Sequence, residues 1–153
     1  MIRMTKSADY GIVLMTHMAG QADRQLNAVE LSHETRLPHP TVAKVLKILA
    51  RSGLLESHRG VKAGYALARG PEEISVVEII TALDGPIGIT ECIDNTPGEC
   101  GQESVCAVKG NWHRINEAIR QALDSITLAE MTSTSPELVR LGAGTAGASA
   151  RPN

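Results

Sequence analysis

Three cysteines stand close together in the second half of the chain, Cys92, Cys100 and Cys106, with seven and five residues between them and no other cysteine anywhere. An odd number excludes a fully paired intrachain disulfide framework. Thiolates are soft donors that suit zinc and iron–sulfur clusters alike. Zinc sites favour cysteine pairs two to four residues apart, and this spacing has no such pair, so it fits a structural zinc knuckle poorly. A glycine-containing loop can wrap a cluster larger than one ion, and three thiolates leave one position for a different ligand. His113, Asp94, Glu99 and Glu103 lie nearby in sequence, and Asp9 lies farther off. Three unligated cysteines would ordinarily seek burial, which this polar stretch does not offer.

A second chemistry is cationic. The whole chain of 153 residues carries a formal net charge of -2, but residues 1–70 hold ten Lys and Arg against five Asp and Glu, a net of +5. Residues 71–153 hold five against twelve, a net of -7. A basic half joined to an acidic half suggests that one end meets a polyanion. The only aromatic residues are Tyr10, Tyr65 and Trp112, too few for a base-stacking RNA surface.

The elements that must present these charges can be read from periodicity. Thr5 to Ala19 reads as a helix with Tyr10, Val13, Leu14 and Met18 on one face. Asn27 is a good N-cap for a short helix over residues 28–34, with Val29 and Leu31 apolar. Arg36-Leu37-Pro38 interrupts. Pro40 then sits in the tolerated first turn of a helix from His39 to Ser52 that carries Val42, Val45, Leu46 and Leu49 inward and stops at Gly53. Two helices joined by a tight turn form a helix-turn-helix, and Leu54–Arg59, a glycine-containing bend and Tyr65–Leu67 add a hairpin wing. Ser75 and Glu78 form a capping box for a helix over residues 76–83. From Lys109, Trp112, Ile115, Ile119, Leu123 and Ile126 repeat at helical spacing, a narrow stripe that a second copy of the chain is expected to cover. Thr127 restarts a short segment, Leu128 to Met131.

The fold class is therefore mainly α with a small β-wing: a winged helix-turn-helix over 1–84, a cysteine-containing loop over 85–108, and a long dimerisation helix with a short extension over 109–131. The low-complexity tail, 132–153, is expected to be disordered. The recognition helix offers His39, Pro40, Thr41 and Lys44 to base edges, with Lys47 and Arg51 nearer the DNA backbone. Arg59 and Lys62 on the wing reach a neighbouring phosphate or the minor groove. Any one of these charges is equally at home on a solvated helix face; their joint placement on turn, helix and wing points to DNA. No nucleophile elbow, phosphate-cradling glycine loop or HExxH motif is present, so no enzyme is expected. No apolar run reaches the roughly eighteen residues of a membrane span. Met1 to Lys6 lacks the features of a secretory signal, so the expected compartment is a reducing cytoplasm.

The opening Met4-Thr5-Lys6-Ser7-Ala8-Asp9-Tyr10-Gly11, the wing Arg59-Gly60-Val61-Lys62-Ala63-Gly64-Tyr65, the three-cysteine loop, and Trp112 opening a helix that ends in Ile126-Thr127-Leu128-Ala129-Glu130 together resemble the IscR/NsrR type of winged-helix iron–sulfur transcription regulators. Within that family the opening is most similar to the regulators of the SUF iron–sulfur assembly operon. The resemblance implies a homodimer with crossing long helices, in which the loop of each subunit holds a 4Fe-4S or 2Fe-2S cluster near helix one of its partner. Cys92, Cys100 and Cys106 match the three thiolate ligands. The biogenesis branch takes its fourth ligand from a His three residues after the last Cys, where this chain has Lys109, whose protonated amine has no lone pair to offer. The nitric-oxide-sensing branch uses an Asp in helix one, which Asp9 matches, so Asp9 is the first choice and His113 the fallback. A surface pair between Asp9 and Lys6 is the plainer alternative.

Ala63 departs from the family's usual Gly. Ala43 stands where a biogenesis regulator has a Glu that helps select promoter classes, so operator preference is not carried over. The expected function is a cluster-sensing repressor that seats one winged helix in each half-site of a palindromic double-stranded DNA operator, with an iron–sulfur assembly operon as target. The alternatives are a nitric-oxide-responsive repressor and, from another class, a zinc- or cluster-carrying protein-interaction module.

Overall fold

The computed structural model describes residues 3–90, 93, 100–101 and 104–133. Cys92 and the expected tail beyond residue 133 lie outside the described residues. In chain order come α1 Lys6–Ala19, α2 Ala28–Thr35, α3 His39–Arg51, β1 Leu55–His58, β2 Gly64–Leu67, a 3₁₀ turn over Pro71–Glu73, α4 Val76–Asp84, α5 Lys109–Asp124 and α6 Leu128–Met131. This is the mainly helical architecture with a small wing that the sequence implies.

Thr5 caps α1, accepting from the Ala8 N–H at 3.2 Å, and its hydroxyl donates to the Asp84 carboxylate at 2.6 and 2.8 Å, tying the start of α1 to the end of α4. The buried side of α1 is Ala8, Gly11, Leu14, Met15 and Met18. That corrects the expected face: Leu14 and Met18 are inside, but Val13 is exposed and Tyr10 half-buried. Apolar residues occupy most of this helix's perimeter, so the period alone cannot select a face. Packing against α3 on one side and α4 on the other selects it. A Cβ at Gly11 would run into the Leu83 side chain, which marks the close approach of α1 and α4.

Asn27 caps α2 as expected, its Oδ1 accepting from the Val29 and Glu30 N–H groups at 2.9 Å, while the Glu30 carboxylate accepts from the Asn27 N–H. Leu31 is buried, whereas Val29 is largely exposed. On α3 the four expected residues, Val42, Val45, Leu46 and Leu49, are all buried, each Leu contributing about 1.5–3 kcal/mol relative to exposure. They meet Leu14, Met15 and Met18 of α1, Leu31 of α2 and Ile79 of α4 in the main core.

The wing pairs antiparallel with Leu55 opposite Leu67 and His58 opposite Gly64. A reciprocal bridge joins Leu26 to Tyr65, at 3.1 and 2.8 Å, and fastens the wing to the segment before α2. At the far end of the chain, Val76 N–H donates to the Ile126 carbonyl and Leu128 N–H to the Ile74 carbonyl. These bonds lay α6 against the winged helix, where Leu128 is fully buried in the main core. Thr127 and Glu130 form the capping box of α6.

Candidate DNA-binding surface and cysteine segment

Pro38 and Pro40 fix the entry to α3. Pro38 supplies no side-chain cap, so the positive end of the α3 dipole faces solvent, an arrangement that suits phosphate. His39, Pro40, Lys44, Lys47 and Arg51 are exposed, and Thr41 is half-buried. On the wing, Gly60 at φ 105° and an Ala63 N–H to Gly60 carbonyl bond of 3.1 Å close the tip, which projects Arg59 and Lys62 into solvent. Ala63 takes no positive φ, so its departure from glycine leaves the bend intact. Lys62 also lines a cleft of about 460 Å³ between the wing and the start of α2, shared with Asp23, Arg24 and Glu30.

Among the described residues several cations are held in ion pairs, while the lysines and arginines of α3 and the wing, like Arg3, Lys6 and Arg114, are not. Arg24 pairs with Glu34 at 3.6 Å, Arg69 with Glu78 at 2.7 Å and Arg120 with Glu117 at 2.8 Å. Among the described residues Lys44, Lys47, Arg51, Arg59 and Lys62 have no ion pair. Burial pushes the Glu78 carboxyl up, but the Arg69 guanidinium and the Ser75 N–H outweigh it and hold Glu78 below its ordinary value. Arg69 thus serves to fasten the exit of the wing to α4, and its charge is spent inside the fold.

The acidic half is organised around α5. Cys100 and Cys106 are free thiols, each half-buried. Asp9 is exposed on α1 and makes no ion pair with Lys6, so its carboxylate stands open; His113 is exposed on α5. Among the described residues no three His, Cys, Asp or Glu side chains come together, so one chain does not group Asp9 or His113 with Cys100 and Cys106. Cys92, Asp94, Glu99 and Glu103 lie outside the described residues.

One residue that tethers this segment escapes sequence reasoning. Asn116 is 8% exposed in α5, its Nδ2 donating to the Ile87 carbonyl at 2.8 Å and its Oδ1 accepting from the Ile89 N–H at 3.2 Å. It ties the chain leaving α4 to α5. Its sequence signal is an amide beside Ile115 in an otherwise apolar stripe. The stripe divides in two. Leu123 and Ile126 pack against Ala8, Val76 and Ile80. Trp112 and Ile115 stay 37% and 45% exposed, and Val105 and Val108 beside them are exposed as well.

A helix-turn-helix followed by a cation-tipped hairpin wing is the architecture of a winged-helix DNA-binding transcription regulator. Residues 4–134 match the family model for Rrf2, described as iron-dependent transcriptional regulator, and the chain belongs to the Rrf2 family. Its relatives are transcription regulators, and it is a regulator rather than an enzyme. The HTH-type transcriptional regulator NsrR of Shouchella clausii is 26% identical over 138 residues, covering 90% of this chain and 93% of the relative. The structure of CymR, the global cysteine regulator of B. subtilis, superposes with a TM-score of 0.70 at 25% identity, covering 88% of this chain and 99% of that one. T. potens IscR superposes with a TM-score of 0.66 at 27% identity, covering 85% of each. No helix among the described residues is long and apolar enough to cross a membrane.

Proposed function

We propose that this Rrf2 regulator is a cytoplasmic homodimeric repressor of an iron–sulfur assembly operon, governed by an iron–sulfur cluster held on Cys92, Cys100, Cys106 and Asp9. The observation that carries the DNA half is the set of exposed, unpaired cations shared by α3 and the wing. His39, Pro40, Thr41 and Lys44 enter the major groove from the N-terminal end of α3, Lys47 and Arg51 follow the backbone, and Arg59 and Lys62 reach past the groove edge. Two such units, joined through the uncovered half of the α5 stripe, read two half-sites.

The donor chemistry fits a cluster. Cys100 and Cys106 are half-buried thiols outside any disulfide, and Asp9 keeps an unpaired carboxylate. Bound there, a 4Fe-4S or 2Fe-2S cluster supplies an iron centre open to oxidants, nitric oxide and iron shortage. The chain's own part is mechanical. Asp9 belongs to α1 and the cysteines to the segment between α4 and α5, so a cluster held by both would tie α1 of one subunit to that segment of the other. That tie would bias the relative placement of the two winged helices.

Anaerobic purification with absorption spectroscopy and iron and sulfide analysis tests this. Iron and acid-labile sulfide that disappear in Cys100→Ser and Cys106→Ser support it, and a protein that holds neither after reconstitution contradicts it. Asp9→Ala should speed cluster loss in air; an unchanged decay rejects Asp9 as the ligand. Asp9 also supports a second reading, a nitric-oxide-responsive repressor, in which nitric oxide rather than iron supply is the effective signal.

A further inference from the structure

Arg36 is the one non-glycine residue among those described with a positive φ, at φ 58° and ψ 28°. It stands at the C-terminal cap of α2, where the left-handed conformation favours glycine or asparagine and costs any other residue a clash of its Cβ with the backbone. The turn around it is held firmly. The Thr35 hydroxyl donates to the Leu31 carbonyl at 2.6 Å, the Ser32 hydroxyl donates to the Leu37 carbonyl at 2.7 Å, and Leu37 packs on the core. Between these anchored neighbours Arg36 is exposed, and its guanidinium has no ion pair or hydrogen bond among the described residues. Arg24, Arg69 and Arg120 are paired, whereas Arg36 shares its unpaired state with Arg51 and Arg59 of the proposed DNA-facing surface and with Arg3 and Arg114 elsewhere. The fold thus keeps an arginine where the backbone disfavours one and uses its charge for nothing internal. In helix-turn-helix docking the first helix crosses the DNA backbone while the second enters the groove, so the turn between them meets phosphate.

We propose that Arg36 is a further DNA-binding residue, a phosphate clamp at the turn between α2 and α3 that sets the entry of α3 into the groove. Its planar fork takes a phosphate through two parallel hydrogen bonds. Such a contact carries no sequence information and raises affinity on any duplex. The proposal rests on α3 and the wing being the DNA-facing surface.

The test is fluorescence anisotropy of the full chain with a labelled random-sequence duplex over a salt series, with Lys47→Ala, at a backbone-facing position of α3, measured in parallel. Arg36→Ala is expected to weaken binding about tenfold. It should also reduce the slope of log affinity against log salt by about one per contacting chain, while Arg36→Lys keeps most of that slope. Arg36→Gly should weaken DNA binding as the Ala variant does and yet raise Tm by about 2 °C, because glycine accepts the left-handed backbone. A residue with a purely structural role does not give those opposite signs. Wild-type affinity and slope in Arg36→Ala, alongside a weakened Lys47→Ala, overturns the clamp. Unchanged binding in both variants overturns the surface on which it rests. A lower Tm in Arg36→Gly overturns the backbone argument.

Discussion

Asn116 makes the most localised claim in the structure, and truncating it to alanine tests that claim at atomic detail. Asn116→Ala removes two hydrogen bonds, one to the Ile87 carbonyl at 2.8 Å and one from the Ile89 N–H at 3.2 Å. Each contributes about 0.5–1.5 kcal/mol net, so the tether loses about 1–3 kcal/mol. The loss falls on residues 87–89 because the main core does not include Asn116. Amide hydrogen exchange resolves this. The Ile89 N–H should exchange about 5- to 150-fold faster, the factor that corresponds to that energy, while amides of Leu46 and Leu49 in α3 keep their protection. Alkylation of Cys100 and Cys106 should quicken as the tether between residues 87–89 and α5 loosens. Unchanged exchange at Ile89 would refute the tether, and a uniform loss of protection across α3 would show that Asn116 supports the whole fold instead.

Other expectations are simpler to state. Ile115→Asp places a charge on the uncovered stripe and should halve the mass seen by light scattering to about 16.3 kDa, with a monomeric wild type contradicting the dimer. Leu128→Ala, in the main core, should cost about 2–5 kcal/mol in urea denaturation, whereas Val29→Ala, largely exposed, should change stability by less than about 0.5 kcal/mol. Hydrogen bonds to Glu34 from His17, to Glu117 from Arg120 and to Glu130 from the Thr127 N–H hold these carboxyls below the ordinary 4.5, Glu117 at about 2. Depressed carboxyls stabilise the fold fully above that ordinary value and lose the contribution as pH falls, so Tm should decline below about pH 4.5 and Glu117→Gln should flatten the decline. High salt should shrink the effect because these groups are exposed.

Local signals in the sequence were strong where a few adjacent residues decide the outcome. Asn27 with Glu30, Ser75 with Glu78, and the Val42, Val45, Leu46, Leu49 stripe each specify an element within a turn or two of chain, and each is realised. The wing is legible for the same reason, since its glycine-bounded bend lies between two short apolar runs. The inward face of α1 is not, because Val13 and Met15 are both apolar and only the distant α3 and α4 decide which is buried. Leu128 joins the core through bonds between residues some fifty apart in sequence, which no periodicity records. The roles of Arg36 and Asn116 have no sequence pattern, because their signals are a backbone angle and a pair of long-range hydrogen bonds. The cation surface was readable residue by residue, but the structure adds what composition lacks: which arginines already have partners.

The central claim joins DNA affinity to the state of the cysteine segment, and a single comparison addresses it. A palindromic duplex is selected by the anaerobically reconstituted protein from a randomised library, and its affinity is measured before and after iron is stripped with a chelator. Coupling of the usual size predicts a difference of at least about fivefold between the two states. Equal affinities, with iron shown to be bound in one sample and absent from the other, would contradict the account.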